Sequence, residues 1–188
     1  MNMATAARRL LTVEEFLELE IELEGVPRVE LDNGAIWAMA GGSAAHNRVQ
    51  GNVMGILFER LKGSGRRPYG PDMGVRAHDL SLRYPDVSVF CGRDGPENDK
   101  LKQFDDPKLI VEILSPSTRR KDEDVKLPEY RAISSLDAIL YIDPDAETVQ
   151  LLTRQPGGGW RDVDIVAGSN VNLASLNVSL TSAEIFAR

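Results

Sequence analysis

The 188-residue chain carries 22 Lys and Arg against 29 Asp and Glu, for a net charge of −7, with one cysteine and two histidines. That length fits one domain, residues 1–188, with a single sizeable core; the lone Cys91 excludes an intramolecular disulfide, and so few His and Cys exclude a structural zinc site. No apolar run approaches the roughly 18 residues of a membrane span and no signal-peptide pattern opens the chain, so a cytoplasmic protein with no membrane partner is expected. The acidic balance opposes non-specific adhesion to nucleic acid, and the basic clusters Arg66-Arg67 and Arg119-Arg120-Lys121 read as solvated surface.

Residues 1–11 read as a loose arm. Thr12-Val13-Glu14-Glu15 is a capping box, in which a Thr hydroxyl and the Glu three residues on satisfy free amides at a helix start; a short helix to about residue 20 follows, with Phe16 and Leu19 inward. Residues 29–40 alternate in polarity and are split by Asp32-Asn33-Gly34, a tight-turn sequence, which predicts a hairpin with Glu30 just before the turn. Over 43–61, Val49, Val53, Ile56, Leu57 and Leu61 follow a 3.6-residue period, so this segment is an amphipathic helix with His46 in its first turn. A histidine there is by itself a capping or structural residue, and His78 has no partner at ligand spacing.

Strands are expected at 73–77 and 84–90, joined by the turn Asp79-Leu80-Ser81. Residues 92–107 form a polar loop with eight charged residues, read as the rim where a substrate enters. A strand at 109–114 is followed by Ser115-Pro116-Ser117-Thr118, which turns the chain into a helix reaching about residue 133. Asp122, Lys126 and Tyr130 are four residues apart and share one helical face, a spacing that also describes an ordinary surface salt bridge. Pro128 makes this helix kink or begin near Lys126. Strands at 138–142, 148–153 and 160–166 follow, with Gly157-Gly158-Gly159 as a loop, and Thr181-Ser182-Ala183-Glu184 caps a last turn carrying Ile185 and Phe186 inward. The periodicities give an α+β domain with a mixed central β-sheet flanked by helices.

Chemistry enters with two acids set inside apolar, strand-like runs: Asp86 in Tyr84-Pro85-Asp86-Val87-Ser88-Val89-Phe90, and Glu112 in Leu109-Ile110-Val111-Glu112-Ile113-Leu114. An ionised carboxylate among Val, Ile and Leu is costly to desolvate unless it is paired or binds a metal. Two such acids on neighbouring strands suit a hard cation such as Mg²⁺, which takes one or two carboxylates and keeps several waters. An exposed strand end, or pairing with Arg, is the plainer alternative for each acid taken singly. No phosphate-binding Gly loop or nucleophile elbow occurs, and Ser115 and Ser117 lack a His-based motif, which argues against serine hydrolase chemistry.

These segments, from Pro85-Asp86-Val87-Ser88-Val89 through Val111-Glu112-Ile113-Leu114-Ser115-Pro116-Ser117-Thr118, Asp122, Lys126 and Tyr130 to Tyr141-Ile142-Asp143-Pro144, resemble the Uma2 (DUF820) family of the PD-(D/E)XK nuclease superfamily. The likeness extends to Val29-Glu30-Leu31-Asp32-Asn33-Gly34, His46 and Ala183-Glu184-Ile185-Phe186. The resemblance implies a restriction-endonuclease-like core with an extra N-terminal hairpin and extra C-terminal strands, and a homodimer. It implies a DNA endonuclease dependent on Mg²⁺ or Mn²⁺, with Asp86 and Glu112 holding the metal, Lys126 as the catalytic cation and Glu30 completing the metal shell or acting as base. His46, Asp122 and Tyr130 would support them. The superfamily's general pattern has Lys two residues after the second acid, whereas residue 114 here is Leu, so Lys126 must replace it from elsewhere. The rival reading is a catalytically silent nuclease-fold module that binds nucleic acid or protein, favoured by the acidic balance and Leu114; a third is hydrolysis of a small phosphoester.

Overall fold

The computed structural model describes residues 9–22, 28–39, 41–93, 95–115, 122–166 and 168–188. Most of the expected arm, the Ser117-Thr118 turn and the Arg119-Arg120-Lys121 cluster lie outside the described residues. Within them the chain is an α+β fold. Strands β1 (Val29–Asp32), β2 (Ala35–Ala38), β4 (Gly74–His78), β5 (Ser81–Arg83) and β7 (Gln103–Phe104) make a five-stranded sheet in the order β2-β1-β5-β4-β7. Strands β3 (Arg66–Tyr69), β6 (Val87–Cys91), β8 (Leu109–Ile113), β9 (Ala138–Asp143), β10 (Thr148–Arg154) and β11 (Trp160–Ile165) make a six-stranded sheet in the order β11-β10-β9-β8-β6-β3. The latter is mixed, because β8 and β9 run parallel while its other pairs are antiparallel. A separate pair, β12 (Asn170–Leu173) and β13 (Val178–Thr181), follows.

The six-stranded sheet separates two apolar layers, as the two-residue period of a strand requires when both faces are covered. Leu109, Val111 and Ile113 of β8 join the cluster built on helix α2 (Ala44–Leu61) and on β12 and β13, whereas Ile110 and Leu114 join Tyr130 and Ile133 on the opposite face. That second face is covered by a π-helical turn, Asp122–Lys126, which runs into the short helix α3 (Leu127–Ala132). Pro128 falls in the first turn of α3, where its missing amide hydrogen breaks no intrahelical bond. The long helix expected after Ser115 is therefore a short one entered through a wide turn. Helix α1 (Val13–Glu22) seals the third apolar cluster with Val13 and Phe16 against Leu31, Leu82 and Tyr84.

Local sequence sets several junctions. Thr12 and Glu15 form the capping box, with Glu15 N donating to Thr12 Oγ1 (3.3 Å) and Thr12 N to Glu15 Oε2 (3.1 Å). Asn33 and Gly34 turn the first hairpin with φ of 47° and 78°. Ser43 caps α2 by accepting from His46 N. Other expectations give way. Leu19 is 36% exposed rather than inward; Val13 and Phe16, with Leu17 packed beside them, form the face of α1 that enters the cluster. Arg66-Arg67 begins β3, an edge strand whose Pro68 opposes Val89 of β6, the position in a sheet that tolerates proline. The charged segment 92–107 includes β7, which pairs in parallel with β4 and buries Phe104 against Tyr69 and Phe90. A short final helix α4 (Ser182–Ile185) keeps its expected capping box on Thr181 and Glu184.

Leu140 lies fully buried on the α2 side of β9. Leu140→Ala should lower the unfolding free energy by about 2–5 kcal/mol, measured as a shift of the urea midpoint at unchanged slope; a loss within experimental scatter would contradict this core.

Candidate active site

The register of the central sheet brings the two acids together. Val87 of β6 opposes Val111 of β8, so Asp86, immediately before β6, comes next to the level of Glu112. Two contacts fix the Asp86 carboxylate through the same oxygen: Oδ2 accepts from Ile113 N at 2.7 Å and lies 3.2 Å from His46 Nε2. Gln50 of α2 donates to the Asp86 backbone carbonyl at 3.0 Å. The first turn of α2 thus supplies His46 to Asp86, and Gly42 makes room for it, since a Cβ there would come within 2.6 Å of the imidazole Nδ1.

Glu112 is buried on the face of β8 that α3 covers. Its Oε1 accepts from Tyr130 Oη at 2.6 Å and from Lys126 Nζ at 3.1 Å. Lys126 is itself buried and lies 2.9 Å from Asp122 Oδ1 and 4.0 Å from Glu30 Oε2. The Asp122–Lys126 pair is therefore no surface salt bridge: both residues belong to the π turn and face inward, and Tyr141 Oη holds that turn by donating to the Asp122 carbonyl at 2.9 Å. Structure and sequence thus agree on Asp86, Glu112, Lys126, Glu30, His46, Asp122 and Tyr130 as neighbours. His78 stands apart, 3.5 Å from Glu129.

Behind Glu30 lies a part of the network that sequence reasoning missed. Arg83 of β5 is fully buried, 3.5 Å from Glu30, 2.8 Å from Asp32 and 2.7 Å from Glu129 of α3. Its sequence signal is faint, since Ser81-Leu82-Arg83-Tyr84 is not an apolar run like those around Asp86 and Glu112.

The electrostatics follow from burial. Glu112 is pushed up to about 8, first by burial and then by Asp122 and Asp86, with Lys126 and Tyr130 opposing. Lys126 is driven upward, because Glu112, Asp122 and Glu30 outweigh its own burial. Asp86 holds His46 above the usual imidazole value through their hydrogen bond, and Tyr130 is pushed well above the usual phenol range by burial beside Glu112.

A cleft of about 500 Å³ opens over these groups, lined among others by Glu30, His46, Asp86, Glu112, Asp122 and Lys126. No described residue of segment 92–107 lines it, though Lys102 lines a smaller pocket that shares Arg28 and Tyr84 with the cleft. Among the described residues no group of three or more His, Cys, Asp and Glu is arranged as a metal cage. The donor set nevertheless fits a Mg²⁺-like ion that takes one or two carboxylates. Asp86 is engaged through Oδ2 and Glu112 through Oε1, which leaves the second oxygen of each for a ligand in the cleft, and the acids around Lys126 outnumber its charge.

The sequence model of the Uma2 family, described as "Putative restriction endonuclease", matches residues 13–183. Two Synechocystis sp. proteins are similar along most of their length: "Uncharacterized protein slr1290" is 28% identical over 94% of this chain and 91% of its own, and "Uncharacterized protein sll1609" is 31% identical over 75% and 79%. The crystal structure of "a putative nuclease belonging to DUF820" from Anabaena variabilis superposes with a TM-score of 0.71 at 21% identity, covering 94% of this chain and 97% of that one. The fold is thus that of a DUF820 protein. No described helix is long and apolar enough to cross a membrane.

The raised Glu112 predicts a pH signature in the metal-free protein. The folded chain holds that proton more tightly than the unfolded chain, so the associated stability is present below the ordinary value of 4.5 and is lost as pH rises through about 8. Thermal melts in EDTA should show a falling Tm across that window, and Glu112→Gln should flatten the fall. A Tm that rises steadily from pH 5 to 8 in wild type would contradict the assignment.

Proposed function

Because the chain belongs to the Uma2 family, we propose that it is a divalent-metal-dependent DNA endonuclease, hydrolysing phosphodiester bonds with Mg²⁺ or Mn²⁺. The observation that carries this reading is the buried Lys126 ammonium, 3.1 Å from Glu112 and 2.9 Å from Asp122, delivered to the acid pair by a helix instead of by the strand position that Leu114 fills.

Asp86 and Glu112 would hold the metal. When bound, that ion supplies Lewis-acid polarisation of the scissile phosphate and a water of lowered pKa. The chain's own residues prepare the site. Tyr130 and Lys126 fix the orientation of Glu112, while His46 and the Ile113 amide fix that of Asp86. Lys126 keeps a positive charge where negative charge develops on phosphorus, the preorganised stabilisation that needs no reorientation during reaction. Asp122 and Glu30 hold that ammonium in position, and Glu30, anchored by Arg83, is a further acid that could serve as base.

The silent-module reading has one observation in its favour. Glu112 is already hydrogen-bonded twice and is raised to about 8, so metal must displace its proton at neutral pH. Two measurements separate the readings. Calorimetry should detect Mn²⁺ binding that disappears in Asp86→Ala. Lys126→Met should abolish Mn²⁺-dependent nicking of supercoiled DNA while retaining Mn²⁺ binding, because the charge acts in the transition state. Wild-type nicking by Lys126→Met would remove the lysine assignment, and absence of Mn²⁺ binding to wild type would favour the silent module. The resemblance also implies a homodimer, for which light scattering should give about twice the 20.7 kDa chain mass; a monomer at all concentrations would remove that expectation alone.

A further inference from the structure

Lys126 is held at short range by Glu112 and Asp122, but the segment that delivers it must itself be set against two sheets. Apolar packing brings α3 onto β8. Being non-directional, that packing leaves the rotation of so short a helix about its own axis to polar contacts. From the six-stranded sheet, Tyr141 of β9 donates to the Asp122 carbonyl at 2.9 Å. From the five-stranded sheet, Arg83 of β5 grips Glu129, which stands between Lys126 and Tyr130 in sequence and has a side chain only 10% exposed.

The grip is two-pronged. Arg83 Nε donates to Glu129 Oε2 at 2.7 Å and Nη2 to Oε1 at 2.9 Å, while Ser81 Oγ donates to the same Oε1 at 3.1 Å. A planar fork of this kind fixes direction as well as distance. The same guanidinium ties in β1: Nη2 also donates to Asp32 Oδ1 at 2.8 Å, and Nη1 lies 3.5 Å from Glu30 Oε1. The other oxygen of Glu30 is 4.0 Å from Lys126. Arg83 therefore reaches Lys126 by two routes, along the helix from Glu129 and across Glu30. It is itself fully buried and does not line the cleft, so its effect on a ligand there is indirect. Stability alone is a poor account of such a network, because desolvation offsets much of the attraction between buried charges and apolar side chains of like volume often serve as well.

We propose that Arg83 is a positioning residue: its fork on Glu129 and its charge beside Glu30 set where the Lys126 ammonium stands against Glu112. The role rests on the reading of Lys126 as the catalytic cation, and it requires arginine, since a lysine would keep the charge but lose the fork. Displacing a group from its productive place by about 1 Å costs on the order of a hundredfold in rate, and loss of an outer support typically costs about 10- to 100-fold.

The test compares variants of the full chain. Arg83→Lys keeps the charge, Glu129→Gln keeps the shape of the partner, and Leu140→Ala weakens the core outside the network. In Mn²⁺-dependent nicking of supercoiled DNA, Arg83→Lys should lose about 10- to 100-fold in kcat with KM and calorimetric Mn²⁺ affinity unchanged. Glu129→Gln should lose kcat in the same direction, and Leu140→Ala, assayed below its Tm, should keep the wild-type value. A second readout needs no turnover. The ¹⁵N resonance of the Lys126 ammonium, identified by its absence in Lys126→Met, should shift in metal-free Arg83→Lys and Glu129→Gln and stay in place in Leu140→Ala. Wild-type kcat in both network variants, a loss confined to KM, or an unshifted Lys126 resonance would overturn the proposal. An equal loss of kcat in Leu140→Ala would also overturn it, by making Arg83 a support of the fold alone. If Arg83→Lys does not fold, Glu129→Gln carries both readouts. A shifted resonance in a chain whose wild type nicks no DNA would remove the nuclease reading and leave the positioning of Lys126 by Arg83 standing.

Discussion

Two cations, Lys126 and Arg83, are buried against five carboxylates, those of Glu30, Asp32, Glu112, Asp122 and Glu129. Removing so many charges from water is tolerable only if each finds a partner at hydrogen-bond distance. Burial weighs most on Glu112, and with Asp122 and Asp86 adding to it the carboxyl holds its proton to about 8 in spite of Lys126 and Tyr130. A site built this way favours whatever brings positive charge into the cleft. Glu30 lies 3.5 Å from Arg83 and 4.0 Å from Lys126, so the two sheets are coupled electrostatically at the point where the cleft opens.

The sheet architecture determines where such a cluster can exist. In the middle of β8 both faces are sealed, one by α2 and the other by α3 and its neighbours, and a carboxylate there would have no route to solvent. Glu112 stands near the end of β8, where β6 begins. There Asp86 escapes the ladder into a bend, and the Ile113 amide turns to its side chain. The strand end thus converts the backbone donor left over by the ladder into a support for a functional acid. The π turn makes a similar exchange on the other side: its wider backbone turns both Asp122 and Lys126 inward, and Tyr141 takes up the Asp122 carbonyl.

Much of this was legible in the sequence. The residues of the acid cluster were readable because a charge within an apolar run signals burial with a partner, and because four-residue spacing aligned Asp122, Lys126 and Tyr130. The hairpin at Asn33-Gly34 and both capping boxes were readable because turn and cap chemistry is local. What failed depended on distant partners. β3 was hidden by Arg66, Arg67 and Pro68, tolerable only because an edge strand leaves one side unpaired. β7 was hidden in a charged segment, since two residues of parallel pairing with β4 leave no periodicity. Arg83 was overlooked because its partners Asp32 and Glu129 lie 51 and 46 residues away in sequence.

Moving the lysine from strand to helix has consequences beyond reaching the same spot. A lysine at 114 would share the face of Glu112 and would have to be desolvated within the apolar cluster that Leu114 now joins with Tyr130 and Ile133. Supplied from the π turn, the ammonium arrives with its own carboxylate four residues earlier, at 2.9 Å, so its position does not depend on Glu112 alone. The strand is then free to be apolar where the core needs it, and Tyr130, one turn further along, holds Glu112 from the same helical segment. Cation, counter-ion and carboxylate-orienting hydroxyl thus come from one stretch of nine residues, 122–130, whose approach to β8 is fixed by apolar packing. The charge cluster can therefore be assembled or lost as a unit with the docking of that segment, which ties the integrity of the site to the core and not to any single ion pair.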